Sequence, residues 1–316
     1  MGRFKDLLGE RPYLLLHGAL GTELEFRGHD VSGKLWSARY LIEQPELIQD
    51  IHEDYLRAGA DIVTTSSYQA SIPGFLDYGL SEEEARQMIA TTVHLADQAR
   101  ERIWSDLLPE ERAGRIYPLI SGDVGPYAAY LADGSEYTGD YGVMDKEHLK
   151  NFHCSRIKLL LEAGVDLLAL ETMPNLLEVE ALVELLAEEF PQTEAYLSLT
   201  SQDGQHLTDG SAIEEVARLA ETSPQILAIG INCSSPLLFN TLLEKIRKVS
   251  SKPLVTYPNS GEIYDGKTQT WHKGNDSDFS LLENTQTWLA LGAKVVGGCC
   301  RTRPADIACL KAGLEA

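Results

Sequence analysis

Residues 163–171 read AGVDLLALE. An Ala-Gly pair suited to ending a helix precedes an aliphatic run of strand length, and the run stops at a carboxylate, Glu171. Related punctuation recurs as AGADI at 58–62 and LGAKV at 291–295. Working outward from these points, short apolar runs alternate with longer segments of helical period along the whole chain. Strands are predicted over 13–16, 61–65, 117–121, 166–170, 195–199, 226–231, 254–257 and 294–296. Helices are predicted over 45–57, 82–104, 146–162, 176–189, 213–221, 236–249, 279–291 and 305–314. Ser81 ahead of Glu84 has the spacing of a capping box at the start of the second helix.

Eight strand–helix pairs without a low-complexity linker predict an α/β fold, a (β/α)8 TIM barrel forming one domain over residues 1–316. An open doubly wound sheet is the competing arrangement. Two irregular stretches, 122–145 and 258–278, follow predicted strands. In a barrel such loops gather on the C-terminal face, where substrate sites are built.

The chain has 316 residues, with 27 Lys and Arg against 48 Asp and Glu and a formal net charge of −21. That balance repels a phosphate backbone and argues against nucleic acid as a partner; a cationic small molecule is electrostatically easier. No stretch approaches the roughly 18 apolar residues of a membrane span, and the run at 13–16 is too short for a signal peptide's apolar region. A cytoplasmic location follows as the expectation. The five cysteines are then better read as metal ligands, reactive groups or core filler than as a disulfide framework.

Three of those cysteines stand at strand ends. Cys233 closes ILAIGINC, and Cys299 and Cys300 close KVVGGCC, whereas Cys154 and Cys309 fall in helical segments. The sixth and eighth strands of a barrel are separated by one strand, so the three thiols can converge. Adjacent residues of a regular strand point to opposite faces, so joint ligation by Cys299 and Cys300 requires the chain to leave extended geometry, a freedom assigned to Gly297 and Gly298. Three thiolates suit zinc better than magnesium or calcium and leave a fourth position for substrate. The spacing is equally compatible with small buried hydrophobes packed at a strand end.

HGALGTELEFRG from residue 17, LWSA at 35–38, GPYAAYLADGSEYTGDY at 125–141, ETMPN at 171–175, GINC at 230–233, YPNSGE at 257–262 and GGCCRTRPADI from residue 297 together resemble the homocysteine S-methyltransferase family over nearly the whole chain. The resemblance implies zinc held by Cys233, Cys299 and Cys300, with no catalytic residue beyond those ligands, and homocysteine entering the fourth position through sulfur. It implies substrate contacts at Gly18, Glu171 and Asn232, with the ammonium group of homocysteine met by acidic groups from the first and fourth strands. Glu171 matches the fourth-strand acid. The first motif departs from the family's Asp-Gly-Ala or Asp-Gly-Gly, because His17 precedes Gly18. An acceptor for ammonium has become an imidazole, which could accept a hydrogen bond, contact the metal, or mark a changed acceptor preference.

The family's donors include S-methylmethionine, S-adenosylmethionine, betaine and, in multidomain relatives, a folate. The loop at 125–141 most resembles members that use S-methylmethionine, and Tyr127, Tyr130, Glu136, Tyr137 and Asp140 offer aromatic and acidic contacts for a sulfonium. The expected reaction gives methionine. The alternatives are a noncatalytic zinc or thiol-binding barrel in which His17 closes the shell, and a methyltransferase with an altered thiol or selenol acceptor. A zinc hydrolase is disfavoured because neither HxH nor HExxH spacing occurs.

Overall fold

The computed structural model describes residues 2–33, 35–265, 270–272 and 279–316, with 263–265 and 270–272 described by backbone alone. Part of the polar stretch at 258–278 therefore lies outside the described residues.

The eight expected strands form one parallel sheet: β1 (Leu14–Leu15), β2 (Ile62–Thr64), β3 (Leu119–Val124), β4 (Leu167–Met173), β5 (Ala195–Leu199), β6 (Ile226–Asn232), β7 (Leu254–Tyr257) and β8 (Ala293–Val296). Pairing runs in sequence order from β2 to β8, and β8 returns to β1 through Leu14↔Val295 and Leu15↔Val296. A parallel bridge between Leu16 and Ile62 closes the ring, so the sheet is a barrel and not an open wound sheet. Outside it lie α1 (Pro45–Ala58), α2 (Glu82–Asp106), α3 (Lys146–Ala163), α4 (Leu176–Glu189), α5 (Ile213–Thr222), α6 (Phe239–Arg247), α7 (Leu281–Ala290) and α8 (Pro304–Glu315).

Local chemistry explains the boundaries. Gly59 after α1, Gly164 after α3 and Gly292 just past α7 all have φ near +100°, the left-handed turn that glycine adopts without a Cβ penalty. The Ser81–Glu84 capping box opens α2 as expected. The segment predicted as one helix over 236–249 divides into a 3-10 turn, Pro236–Leu238, and α6.

Among the further differences from the sequence reading, two matter here. A helix over Arg3–Glu10 precedes β1, with Phe4, Leu7 and Leu8 buried at helical spacing, and the Phe4 ring stands 6.3 Å from that of Tyr196 at the barrel's lower end. More consequentially, β3 runs three residues beyond its predicted end and takes in Gly122, Asp123 and Val124. Asp123 then shares the inward parity of Leu119 and Ser121.

Side chains divide the barrel interior into two layers. The lower layer is apolar, built from Leu14, Ile62, Leu119, Leu167, Ala228 and Val295. The upper layer is polar: Thr64, Ser121, Asp123, Glu171, Ser198 and Tyr257 come from β2, β3, β4, β5 and β7. Among the described residues, no helix is long and apolar enough to cross a membrane.

Gly230 sits where β6 and β7 approach most closely, and a Cβ there would run into the Val255 carbonyl. Gly230→Ala is expected to destabilise the chain by about 3 kcal/mol, the upper end of ordinary overpacking. Urea denaturation measures this, and an unchanged midpoint would contradict the tight β6–β7 contact.

Candidate active site

At the C-terminal ends of the strands, a cleft of about 1300 Å³ is lined by residues from every βα connection that carried a sequence motif. Cys233, Cys299 and Cys300 converge there, their sulfurs within 4.8 Å of one another. Cys233 Sγ and Cys300 Sγ stand 3.6 Å apart. Two sulfurs on a tetrahedral zinc with bonds near 2.3 Å are spaced about 3.8 Å, so the donor set and its spacing fit such an ion. Among the described residues His17 is not part of this cluster. Three protein donors leave one tetrahedral position open.

The chain reaches this arrangement through backbone geometry that sequence reading placed elsewhere. Gly297 and Gly298 do not have positive φ; they provide clearance. A Cβ on Gly297 would stand 2.6 Å from Leu16 Cβ, and one on Gly298 would strike the Thr302 side chain. The left-handed residues are Cys233 (φ 46°) and Arg301 (φ 67°), and Thr172 joins them at φ 61°. Non-glycine residues in this region cost of order 1–3 kcal/mol each and persist where their surroundings fix them.

Those surroundings are visible. Asn232 accepts from the Thr172 N–H at 2.9 Å and donates to Thr172 Oγ1 at 2.8 Å, pinning one strained residue to the strand that carries another. The segment after β7 straps the two cysteine turns together. Cys233 N–H donates to Tyr257 O at 3.2 Å and Cys299 N–H to Pro258 O at 2.8 Å. Asn259 N–H donates to Ser234 O and Ser260 N–H to Cys300 O. The Tyr-Pro-Asn-Ser run thus has a role that the sequence did not assign.

The thiols also form an electrostatic unit. Hydrogen bonding to Cys299 and Cys300, followed by burial, pushes the Cys233 thiol well above its usual range. Hydrogen bonds to Cys233 and Cys299 hold Cys300 well below it. A divalent cation relieves the repulsion that opposes the second and third deprotonations.

The other expected residues divide. Glu171 faces the cleft and accepts from Tyr257 Oη at 3.0 Å; Tyr257 also hydrogen-bonds Ser198. Burial raises the Glu171 carboxyl, reinforced by the nearby Cys299 charge. Gly18 lines the cleft where a Cβ would meet Thr302 O at 2.7 Å, so only its backbone is presented. Asn232, expected to touch substrate, is fully buried with its amide committed to Thr172, and its Nδ2 lies 4.0 Å from Cys299 Sγ. It stands behind the cysteines, away from the cleft wall. His17 lines the cleft, edge-on to Tyr55 with ring centroids 5.4 Å apart, and burial lowers its pKa to about 4. It is neutral at physiological pH.

Of the loop residues singled out for a sulfonium, Glu136 and Tyr137 reach the cleft. Glu136 accepts from Tyr68 Oη at 3.1 Å, and Trp36 packs edge-on to Tyr68. Tyr127 is instead buried in a satellite cluster with Phe152 and Leu149, Tyr130 points toward Asp77, and Asp140 is an exposed turn residue that accepts from Gly142 N–H. The satellite cluster is anchored by buried Glu178, which accepts from Tyr127 N–H, hydrogen-bonds His153 and accepts from Tyr141 Oη. Sequence reading missed Asp123, Tyr257 and Tyr68 as cleft residues.

A closed (β/α)8 barrel with three thiols converging at its strand ends and a fourth position facing a cleft defines a thiolate metal-site barrel enzyme. The homocysteine S-methyltransferase family model matches residues 14–314. The homocysteine S-methyltransferase of Escherichia coli is 47% identical over 308 residues, covering 98% of this chain and 97% of that protein. Homocysteine S-methyltransferase YbgG of Bacillus subtilis is 45% identical, covering 97% and 96%. The metallated form of the E. coli homocysteine methyltransferase MmuM superposes with a TM-score of 0.85 at 44% identity, covering 97% of this chain and 98% of that one. The chain belongs to the homocysteine S-methyltransferase family.

Cys233→Ser is expected to abolish stoichiometric binding of a divalent metal, and Asn232→Ala to weaken it by about 10- to 100-fold, as loss of a supporting group behind metal ligands does. Competition with a chromophoric chelator measures both; a Cys233→Ser protein that keeps a full equivalent of metal would contradict the assignment.

Proposed function

We propose that the chain is a zinc-dependent enzyme of the reducing cytoplasm, a single barrel over residues 1–316, that transfers a methyl group from a sulfonium donor, S-methylmethionine above all, to homocysteine. The observation that carries this reading is the three-thiol cluster with one position open to the cleft. Membership of the family, whose relatives are homocysteine S-methyltransferases, supports homocysteine as the acceptor.

Zinc, held by Cys233, Cys299 and Cys300, supplies the positive charge that favours the thiolate form of an acceptor sulfur near neutral pH. The chain's own residues provide the rest. Glu171, fixed by Tyr257, faces the acceptor's ammonium group, while Gly18 keeps the wall beside it low enough for the substrate to approach. The acceptor sulfur uses its electron pair to form a bond to the methyl carbon. The bond between that carbon and the donor sulfur breaks, its electrons neutralise the sulfonium, and the donor leaves as a neutral thioether. The acceptor's proton has already been released to solvent. Positioning the two sulfurs in line across the methyl carbon accounts for much of the rate.

A cationic donor suits this cleft. Burial raises the Glu136 carboxyl beside Tyr68 and Trp36, and an arriving sulfonium would favour its ionised form through Coulomb attraction while the aromatic faces add a ring-quadrupole term. The Tyr137 ring adds a further face on the same side. A closed, noncatalytic zinc shell is disfavoured because His17 lies outside the thiol cluster.

Zinc-loaded protein given homocysteine with S-methylmethionine, S-adenosylmethionine or betaine in separate reactions is expected to form methionine fastest with S-methylmethionine. Activity undiminished after verified removal of the metal would contradict the reading. Glu136→Gln is expected to raise the donor's KM roughly 10-fold, the scale of one charge-assisted contact, while leaving the KM for homocysteine near its wild-type value. Equal effects on both would place Glu136 outside the donor site.

A further inference from the structure

Asp123 is a buried carboxylate that the mechanism above does not use. It is 5% exposed, faces inward at the top of β3 and lines the cleft that holds the three cysteines. Its backbone is fixed: the N–H donates to Thr65 Oγ1 at 3.0 Å and the carbonyl accepts from Ser67 Oγ at 2.7 Å. Its side chain is not satisfied. Oδ1 is buried without a hydrogen-bond partner among the described residues, and Glu171 lines the same cleft from the adjacent strand, two residues beyond Ala169, the β4 partner of Asp123.

Two neighbouring buried carboxyls cannot both ionise without a cation in contact; burial raises both, and repulsion from Glu171 raises Asp123 further, so the pair keeps a proton while no cation is present. Among the described residues, no Lys, Arg or His nitrogen makes an ion pair with Asp123 or Glu171. Arg156 is the nearby buried guanidinium, but its hydrogen bonds go to Ser67 O, Tyr68 O, Gly125 O and His153. A cation in contact with both would have to arrive with a ligand. Just past β1, His17 is a neutral imidazole with its ring against Tyr55, and it cannot supply a second negative charge.

We propose that Asp123 and Glu171 form a two-carboxylate seat for the α-ammonium group of the thiol acceptor, with Asp123 Oδ1 taking one ammonium proton and providing the charge that His17 does not. Asp123 is then a specificity-determining residue: it selects an amino-acid thiol over a thiol that lacks the amino group. An ammonium at this seat fills the unsatisfied oxygen and balances the single negative charge of a pair that keeps one proton. The inference rests on the reading of the cleft as the acceptor site.

The test compares homocysteine with 4-sulfanylbutanoate, the same thiol acid without its amino group, on zinc-loaded protein. Affinities come from calorimetry and KM values from methylation with S-methylmethionine. Wild type is expected to favour homocysteine, and Asp123→Asn to weaken homocysteine by roughly 10- to 100-fold while changing 4-sulfanylbutanoate and the donor by less than about threefold. Unchanged homocysteine affinity in Asp123→Asn, or an equal loss for both thiols, overturns the proposal. Asp123→Ser is read in the same way if the asparagine variant does not fold. Should neither fold, the wild-type comparison decides, since equal affinity for the two thiols overturns the seat and a clear preference for homocysteine supports it. A wild type that methylates no thiol overturns this inference and the functional reading together. Methylation by wild type with an unresponsive Asp123→Asn overturns the seat alone.

Discussion

Convergence of three sulfurs from two strands that do not pair with each other is the constraint on which the rest of the upper barrel depends. β6 and β8 are separated by β7, yet Cys233 Sγ and Cys300 Sγ meet at 3.6 Å. The chain achieves this by turning abruptly at both ends, with Cys233 and Arg301 in left-handed geometry, and by passing residues 257–260 between the turns as a hydrogen-bonded strap. Glycines at 297 and 298 let the second turn lie against Leu16 and Thr302. Asn232 and Thr172 extend the same bracing to β4, which also carries Glu171. The three thiols and the Glu171 carboxylate are therefore set by one connected network, in which the strain at three non-glycine residues is held by the strands beneath.

The barrel's layering separates stability from chemistry. Below, mostly aliphatic side chains and the N-terminal helix close the interior, with Tyr196 packed against Phe4. Above, hydroxyls and carboxyls pair across the layer but leave Asp123 Oδ1 without a partner among the described residues, a condition a folded protein tolerates where a ligand completes it. The excess of acid in this layer agrees in sign with the whole chain's charge of −21. It suits substrates that carry ammonium and sulfonium groups, since both bring positive charge to a cleft poor in free cations.

Much of this was legible in the sequence because it rests on local pattern. Eight apolar runs, glycine caps at 59, 164 and 292, and the capping box at Ser81 depend on residues close in the chain, and the structure reproduces each. The cysteine cluster was legible once the runs were assigned to a barrel, since strand order alone brings Cys233 near Cys299 and Cys300. Asp123 was not. Gly122 and Asp123 carry turn chemistry, and the run was ended at Ser121; only pairing with β4, Asp123 opposite Ala169, shows that the strand continues. Asn232 and the strap at 257–260 were misread or unread for the same reason: their roles are contacts between strand ends, and a sequence does not show which polar groups are spent on one another. Tyr127 and Tyr130 looked like ligands for a cation because the loop's composition hides which rings turn inward to pack.

The central claim is that three cysteines hold the metal and leave its fourth position to the acceptor's sulfur. X-ray absorption at the zinc edge tests this most directly, on zinc-loaded protein before and after homocysteine is added. The account predicts three sulfur neighbours and one oxygen before, and four sulfurs after. A shell already closed by a protein nitrogen, or one whose sulfur count does not change with homocysteine, would contradict it.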